Sequence, residues 1–192
     1  MKLLSIDVKT TGLDPNRCSV LEVGAVVFNP DPLLAVDGVV NAKGRKWHTF
    51  QRLVRHTMIQ GEPRVLAMNA DILDEVSGRK TSHVVQDYAP NVMHQLADFL
   101  TEHAEGKYTI VGDAFDAFDV RFLERIPGWD TRVKPLCERR TLDVGSLCFR
   151  PGDEKVVSLT ECLRMLGIED NVSRRALDGA LQIATVVSRF FA

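Results

Sequence analysis

The feature that most restricts the fold is the β-branched run Val20–Phe28, centred on LEVGAVVF and closed by Asn29-Pro30-Asp31-Pro32. Its length and its Val content predict a strand. A shorter apolar run, Leu3–Val8, precedes it and is broken by Thr10-Thr11-Gly12, and a third candidate strand covers Trp47–Val54. Three such runs predict an antiparallel meander, with residues 31–46, which carry Pro, Gly and Asn, as a loop or weak hairpin between the second and third.

Downstream the periodicity changes. Residues 63–75 read as a helix with Pro63 in its tolerated first turn. Val84, Val85, Tyr88, Val92, Leu96 and Phe99-Leu100 recur at helical spacing and predict a helix over 84–103. A short strand over Tyr108–Val111 and a helix over Asp116–Arg125 follow. The stretch 127–157, with Pro127, Pro135 and Pro151, reads as irregular. Two helices end the chain. One is Ser158–Leu166, which Gly167 can cap, and the other is Arg175–Phe191, with Leu177, Leu181, Ala184, Val187 and Phe191 on one face. Mixed order of this kind predicts an α/β domain with helices packed on a central sheet. At 192 residues, with no repeat, low-complexity tract or linker, the chain is expected to form a single domain over 1–192.

Charge and composition narrow the function classes. The net charge is −2, so any nucleic-acid binding has to come from a local patch. Candidate basic clusters are Lys43, Arg45 and Lys46; Arg52 and Arg55; Arg139 and Arg140; and Arg174 and Arg175, all read first as solvated surface. The N-terminal apolar run is too short for a signal peptide and Asp7 interrupts it. No stretch approaches membrane-spanning length, so a cytoplasmic location without membrane attachment is expected. The four cysteines show no CxxC spacing and read as free, mostly buried thiols, and the five histidines form no HExxH pair.

Three segments carry a resemblance. Ser5-Ile6-Asp7-Val8-Lys9-Thr10-Thr11-Gly12-Leu13-Asp14-Pro15 resembles the first motif of the DEDD-type 3′–5′ exonucleases, D-x-E-T-T-G-L-D-P. Val111–Leu123, with Phe118-Asp119 and Phe122-Leu123, resembles the second, F-D-x-x-F-L. Ser173-Arg174-Arg175-Ala176-Leu177-Asp178-Gly179-Ala180 resembles the third, H-x-A-L-D-D-A. The order is right and nearly the whole chain is spanned. The pieces Ile59–Asn69 and Arg140–Asp143 resemble the oligoribonuclease-like branch of phage and bacterial exonucleases. The resemblance implies an RNase H-like α/β fold, a mixed central sheet with helices on both faces.

In that family two divalent cations bind four carboxylates, activate a water and stabilise the phosphoryl transition state, while a His of the third motif is the general base. A D-x-E pair on a strand presents both carboxylates on one face. Here Asp7 and Asp119 stand at retained catalytic positions. Lys9 replaces the Glu, Arg174 replaces the His, and Gly179 stands where the last Asp belongs. Lys9 and Arg174 are expected to neutralise Asp7 and Asp119 in place of metal. An arginine stays protonated and cannot act as the base. Asp113 and Asp116 read as caps of the following helix, and Asp143 as a strand- or turn-end residue. By the resemblance Thr10, Thr11, Gly12, Leu13 and Phe118 belong to the nucleotide-binding region, with Phe118 also reading as core and the Thr-Thr-Gly turn also needed for folding.

The leading expectation is an exonuclease-fold protein without two-metal nuclease activity, a pseudo-exonuclease that needs no cofactor and binds a protein or single-stranded nucleic-acid partner. The alternative is an active 3′–5′ exonuclease with an atypical site of Asp7, Asp119 and Asp178, dependent on Mg or Mn. Oligomeric state stays open.

Overall fold

A computed structural model of the chain describes residues 2–30, 47–103, 106–168 and 174–191. The loop expected over 31–46, with Lys43, Arg45 and Lys46, and Ser173 of the third motif lie outside the described residues.

The meander forms as expected. Strands β1 (Leu3–Thr10), β2 (Val20–Phe28) and β3 (His48–Arg55) pair antiparallel in sequence order. All nine residues of β2 are buried, because the strand lies in the interior of the sheet with helices over both faces. The register between β1 and β2 slips between Lys9 and Thr10, a bulge at the point where β1 delivers its motif residues. Three more strands complete a six-stranded mixed sheet of order β4-β3-β2-β1-β5-β6. They are β4 (Gln86–Tyr88), β5 (Thr109–Gly112) and β6 (Leu142–Asp143), each parallel to its neighbour.

The expected helix over 63–75 is two helices, α1 (Pro63–Met68) and α2 (Ala70–Val76), broken at Asn69. The Asn69 side chain donates to Thr10 O at 2.9 Å, a tertiary bond that takes the residue out of helical geometry. The expected helix over 84–103 starts late, as α3 (Ala89–Glu102), with Pro90 in its first turn. Tyr88 belongs instead to the edge strand β4, a three-residue element too short for alternation to reveal, and Val84 packs on the cluster of Leu21, Leu53, Ile72 and Val76. Helix α4 (Asp119–Leu123) is shorter than expected. The stretch read as irregular holds a π-helical turn at Trp129–Val133, a 3-10 turn at Lys134–Leu136, β6 and α5 (Val144–Cys148), which Asp143 caps through the Ser146 N–H. Trp129 is wholly buried and Trp47 nearly so.

Helix α6 (Leu159–Met165) opens on a capping box of Ser158 and Glu161 and closes at Gly167, whose φ of 66° is the left-handed conformation of a helix stop. Helix α7 (Ala176–Phe190) buries Ala176, Gly179, Ala180, Ile183, Ala184 and Val187. The face expected from Leu177, Leu181 and Phe191 is therefore rotated, and Phe191 is exposed. The reason is close approach of α7 to the sheet. A Cβ on Gly24 of β2 would lie 2.3 Å from the Ala176 carbonyl carbon and the Leu177 nitrogen. Only small residues fit along that contact.

Among the described residues the main cores lie one on each face, with a third, smaller cluster of Leu21, Leu53, Ile72 and Val76. Val8, Val23, Val92, Leu96, Phe122 and Trp129 belong to the α3 side, and Leu3, Val26, Val144, Leu163 and Ile183 to the side of α5, α6 and α7. No described helix is long and apolar enough to cross a membrane.

Candidate functional site

Along β1, odd-numbered side chains face α7 and even-numbered ones enter the α3 core, as a pleat of period two requires. Asp7 and Lys9 thus share a face, and Lys9 Nζ lies 2.8 Å from Asp7 Oδ2. The contact is ionic rather than an aligned hydrogen bond, since that oxygen has no hydrogen-bond partner among the described residues. The two side chains keep 21% and 23% exposure, respectively, so the pair is deep but reachable by solvent.

Asp119 is the first residue of α4 and is buried. Its Oδ1 accepts the Val8 N–H at 3.0 Å, which ties α4 to the centre of β1. Desolvation, and then the charge of Asp7, push the Asp119 carboxyl up to about 8, against the Val8 N–H and Lys9, which hold it down. Desolvation likewise raises Asp7 to about 6, with Lys9 opposing and Glu22 and Asp113 reinforcing. At neutral pH the arrangement is an ionised Asp7 matched by Lys9, beside a largely protonated Asp119.

Gly179 faces this pair from α7. A Cβ there would lie 2.8 Å from Asp7 Cγ and 3.0 Å from each of its oxygens. The helix backbone thus sits against the Asp7 carboxylate. Asp178, one residue and about 100° of helical turn away, is not among the cleft-lining residues. Arg174 lines the cleft, but its Nη1 donates to Met68 O at 2.9 Å. Among the described residues it forms no ion pair with Asp7 or Asp119. The expectation that it would neutralise them is corrected: the Arg174 side chain spans to the α1 wall instead.

The cleft encloses about 720 Å³. One wall is α1, fastened to the turn after β1. Glu62 N donates to Thr11 O at 2.8 Å, Leu13 N donates to Glu62 Oε1 at 2.8 Å, and Asn69 holds Thr10 O. Of the residues expected at a nucleotide, Thr10, Leu13 and Phe118 line the cleft. Thr11 and Gly12 are buried behind it: the Thr11 hydroxyl donates to Gln60 O, accepts Ser19 N–H at 2.8 Å, and so holds the turn. Phe118 also packs on Phe122, so both readings of it hold.

Sequence reasoning missed Arg64, Val65, Met68 and Leu159, which line the cleft from α1 and α6. It also missed the network beneath. Glu22, fully buried, accepts the Ala176 N–H at 3.1 Å and pairs with Arg175 at 3.0 Å, and Arg175 reaches Glu75 at 2.8 Å. Arg175 is therefore a partly buried anchor of the α7 N-terminus, not a solvated residue. An acid inside an otherwise apolar strand was the available signal for it. Asp113 and Asp116 do not cap α4. Burial, and then the charge of Asp143, raise the Asp113 carboxyl above its ordinary value, and Asp116 accepts the Thr141 hydroxyl. Among the described residues no group of three or more His, Cys, Asp or Glu is disposed to hold a metal ion.

No protein-family model matches the chain. A solved structure described as the crystal structure of full-length 3'-exonuclease superposes on 98% of this chain with a TM-score of 0.62 at 18% sequence identity. The fold is exonuclease-like. Its mixed sheet with helices on both faces is the RNase H-like α/β fold that the motifs implied. This chain spans 59% of that exonuclease.

Proposed function

We propose that this exonuclease-like fold serves as a binding module without two-metal nuclease chemistry. The observation that carries the reading is the contact of the Lys9 ammonium with Asp7 at the centre of the cleft. A two-cation site needs a shell of oxygen ligands around charges of the sign that Lys9 already supplies. The Gly179 backbone adds no ligand and stands against the same carboxylate. These residues do not fit a pair of divalent cations.

The cleft suits an anionic ligand with an apolar or aromatic part. Lys9, Arg64 and Arg174 supply cations beside the carboxyl groups of Asp7, Glu62, Asp113 and Asp119, with Lys9 matched to Asp7, while Leu13, Val65, Met68, Phe118 and Leu159 supply apolar wall. Single-stranded nucleic acid has both features, a phosphate and a stacking face. The reading is therefore a metal-independent binder of single-stranded ends, a pseudo-exonuclease of the DEDD type. Burial and the neighbouring charge of Asp7 raise the Asp119 carboxyl, and this favours the second reading, an atypical active exonuclease, because a cation would let both carboxylates ionise.

Titration of short single-stranded DNA and RNA, with EDTA and then with magnesium or manganese, separates the two when binding and cleavage are read together. Binding in EDTA without cleavage in either metal is expected. Metal-dependent degradation that disappears in Asp7→Ala would sink the proposal.

A further inference from the structure

Cys148 and Cys162 are both buried in the core on the side of α5, α6 and α7, and neither is among the residues that line the cleft. Cys148 is the last residue of α5, and Cys162 lies near the start of α6. The Cys162 thiol is directed at α5: its Sγ donates to Val144 O at 3.6 Å. In a helix that carbonyl accepts the N–H of residue i+4, which here is Cys148. The Cys162 sulfur therefore sits beside the Cys148 turn, and the two thiols share a hydrogen bond.

The backbones approach at the same junction. A Cβ on Gly145 of α5 would lie 2.2 Å from Val157 O, just ahead of α6. The other two thiols are placed apart. Cys137 donates to Val133 O at 3.5 Å in the other main core, and Cys18 packs against Gly12 in the turn after β1. Burial, and then the hydrogen bond and charge of Cys148, push the Cys162 thiol up to about 12. It stays protonated and unreactive while packed, so oxidation has to wait for the junction to open.

We infer that Cys148 and Cys162 form a reversible disulfide that staples α6 to α5 when the protein meets a small disulfide oxidant. On opening, the thiolate of one cysteine attacks glutathione disulfide, whose S–S bond breaks as one glutathione thiolate leaves. The thiolate of the other cysteine then attacks the protein-side sulfur of the mixed disulfide and releases the second glutathione thiolate. The two protons lost by the cysteines pass through solvent to the released thiolates. The protein gives up two electrons and glutathione disulfide takes them. The bond closes the segment between the two residues and fixes the start of α6, where Leu159 lines the cleft. Redox state thus sets the freedom of one cleft wall, whatever ligand the cleft takes.

The test incubates wild type with glutathione disulfide, alone and in urea below the unfolding transition. Free thiols are then blocked with N-ethylmaleimide and the protein is digested with trypsin. Cleavage after Lys155 falls between the two cysteines, so the disulfide holds the peptides Thr141–Lys155 and Val156–Arg164 together. That linked pair is expected, released by dithiothreitol, and formed faster in mild urea because opening limits the step. The melting midpoint of the oxidised protein should rise by roughly 5–10 °C, the gain from closing a loop of about 15 residues. Cys148→Ala and Cys162→Ala should each abolish the link and the rise, while Cys18→Ala keeps both. The link is mapped on wild type, so it stands or falls without the variants. Cys148 and Cys162 recovered as N-ethylmaleimide adducts, glutathione retained on either, or a link from either to Cys18 or Cys137 overturns the inference. A linked protein that melts no higher than the reduced one overturns the staple.

Discussion

Replacing Lys9 by Met removes the ammonium while keeping most of the side-chain volume. At 2.8 Å and an effective dielectric near 20, the lost attraction to Asp7 is about 6 kcal/mol. That figure is not the cost, because Asp7 can take up a proton instead. Asp7 titrates at about 6, so at pH 8 protonating it costs about two pH units at about 1.4 kcal/mol each, roughly 3 kcal/mol. Protonation is the cheaper route and sets the ceiling. At pH 5 Asp7 is already mostly protonated, and the same substitution should cost less than about 0.5 kcal/mol by the same arithmetic. Partial exposure of both side chains trims the high-pH value further. Urea unfolding of wild type and Lys9→Met at pH 5, 6, 7 and 8 measures the difference directly. A loss that grows with pH toward about 3 kcal/mol fits an ion pair; a loss of equal size at every pH would refute the charge argument and leave only packing.

Asp119 provides the companion experiment. Its folded value of about 8 lies above the ordinary 3.8, so the folded chain holds a proton that the unfolded chain releases, and stability falls as pH rises between about 4 and 8. Asp7 adds to the slope between about 4 and 6. Asp119→Asn should flatten the decline between pH 6 and 8, and urea midpoints that rise with pH across that range in wild type would contradict the assignment. Gly24→Ala places a methyl 2.3 Å from the α7 backbone and is expected to destabilise by about 3 kcal/mol, read as a lower urea midpoint. Glu22→Gln should cost about 3 kcal/mol by leaving Arg175 without its fully buried partner, and a double-mutant cycle with Arg175→Met should recover much of that loss.

The meander was legible because β-branched runs between turn residues have few other uses, and β1, β2 and β3 formed where those runs lie. The elements that escaped were decided by partners distant in sequence. β4 exists because the edge of β3 offers hydrogen bonds to three residues that look helical in isolation. The helix over 63–75 breaks because the Asn69 amide finds Thr10 across a separation of 59 residues. Apolar periodicity put Leu177 and Leu181 on the buried face of α7, but close packing on Gly24 selected the small residues beside them.

The sequence alone determined that Asp7 and Lys9 meet in the cleft. Period two on β1 puts Asp7 and Lys9 on one face, and an ammonium beside a carboxylate within reach pairs with it. The two arginines could not be sorted that way. Arg174 and Arg175 are adjacent and chemically identical, yet one spans to the Met68 carbonyl at the cleft rim and the other pairs with Glu22 beneath α7. Only the tertiary structure decides between them, because direction at a helix start depends on how the helix lies on the sheet. That same placement sets Gly179 against Asp7, and with it the chemistry left open to the cleft.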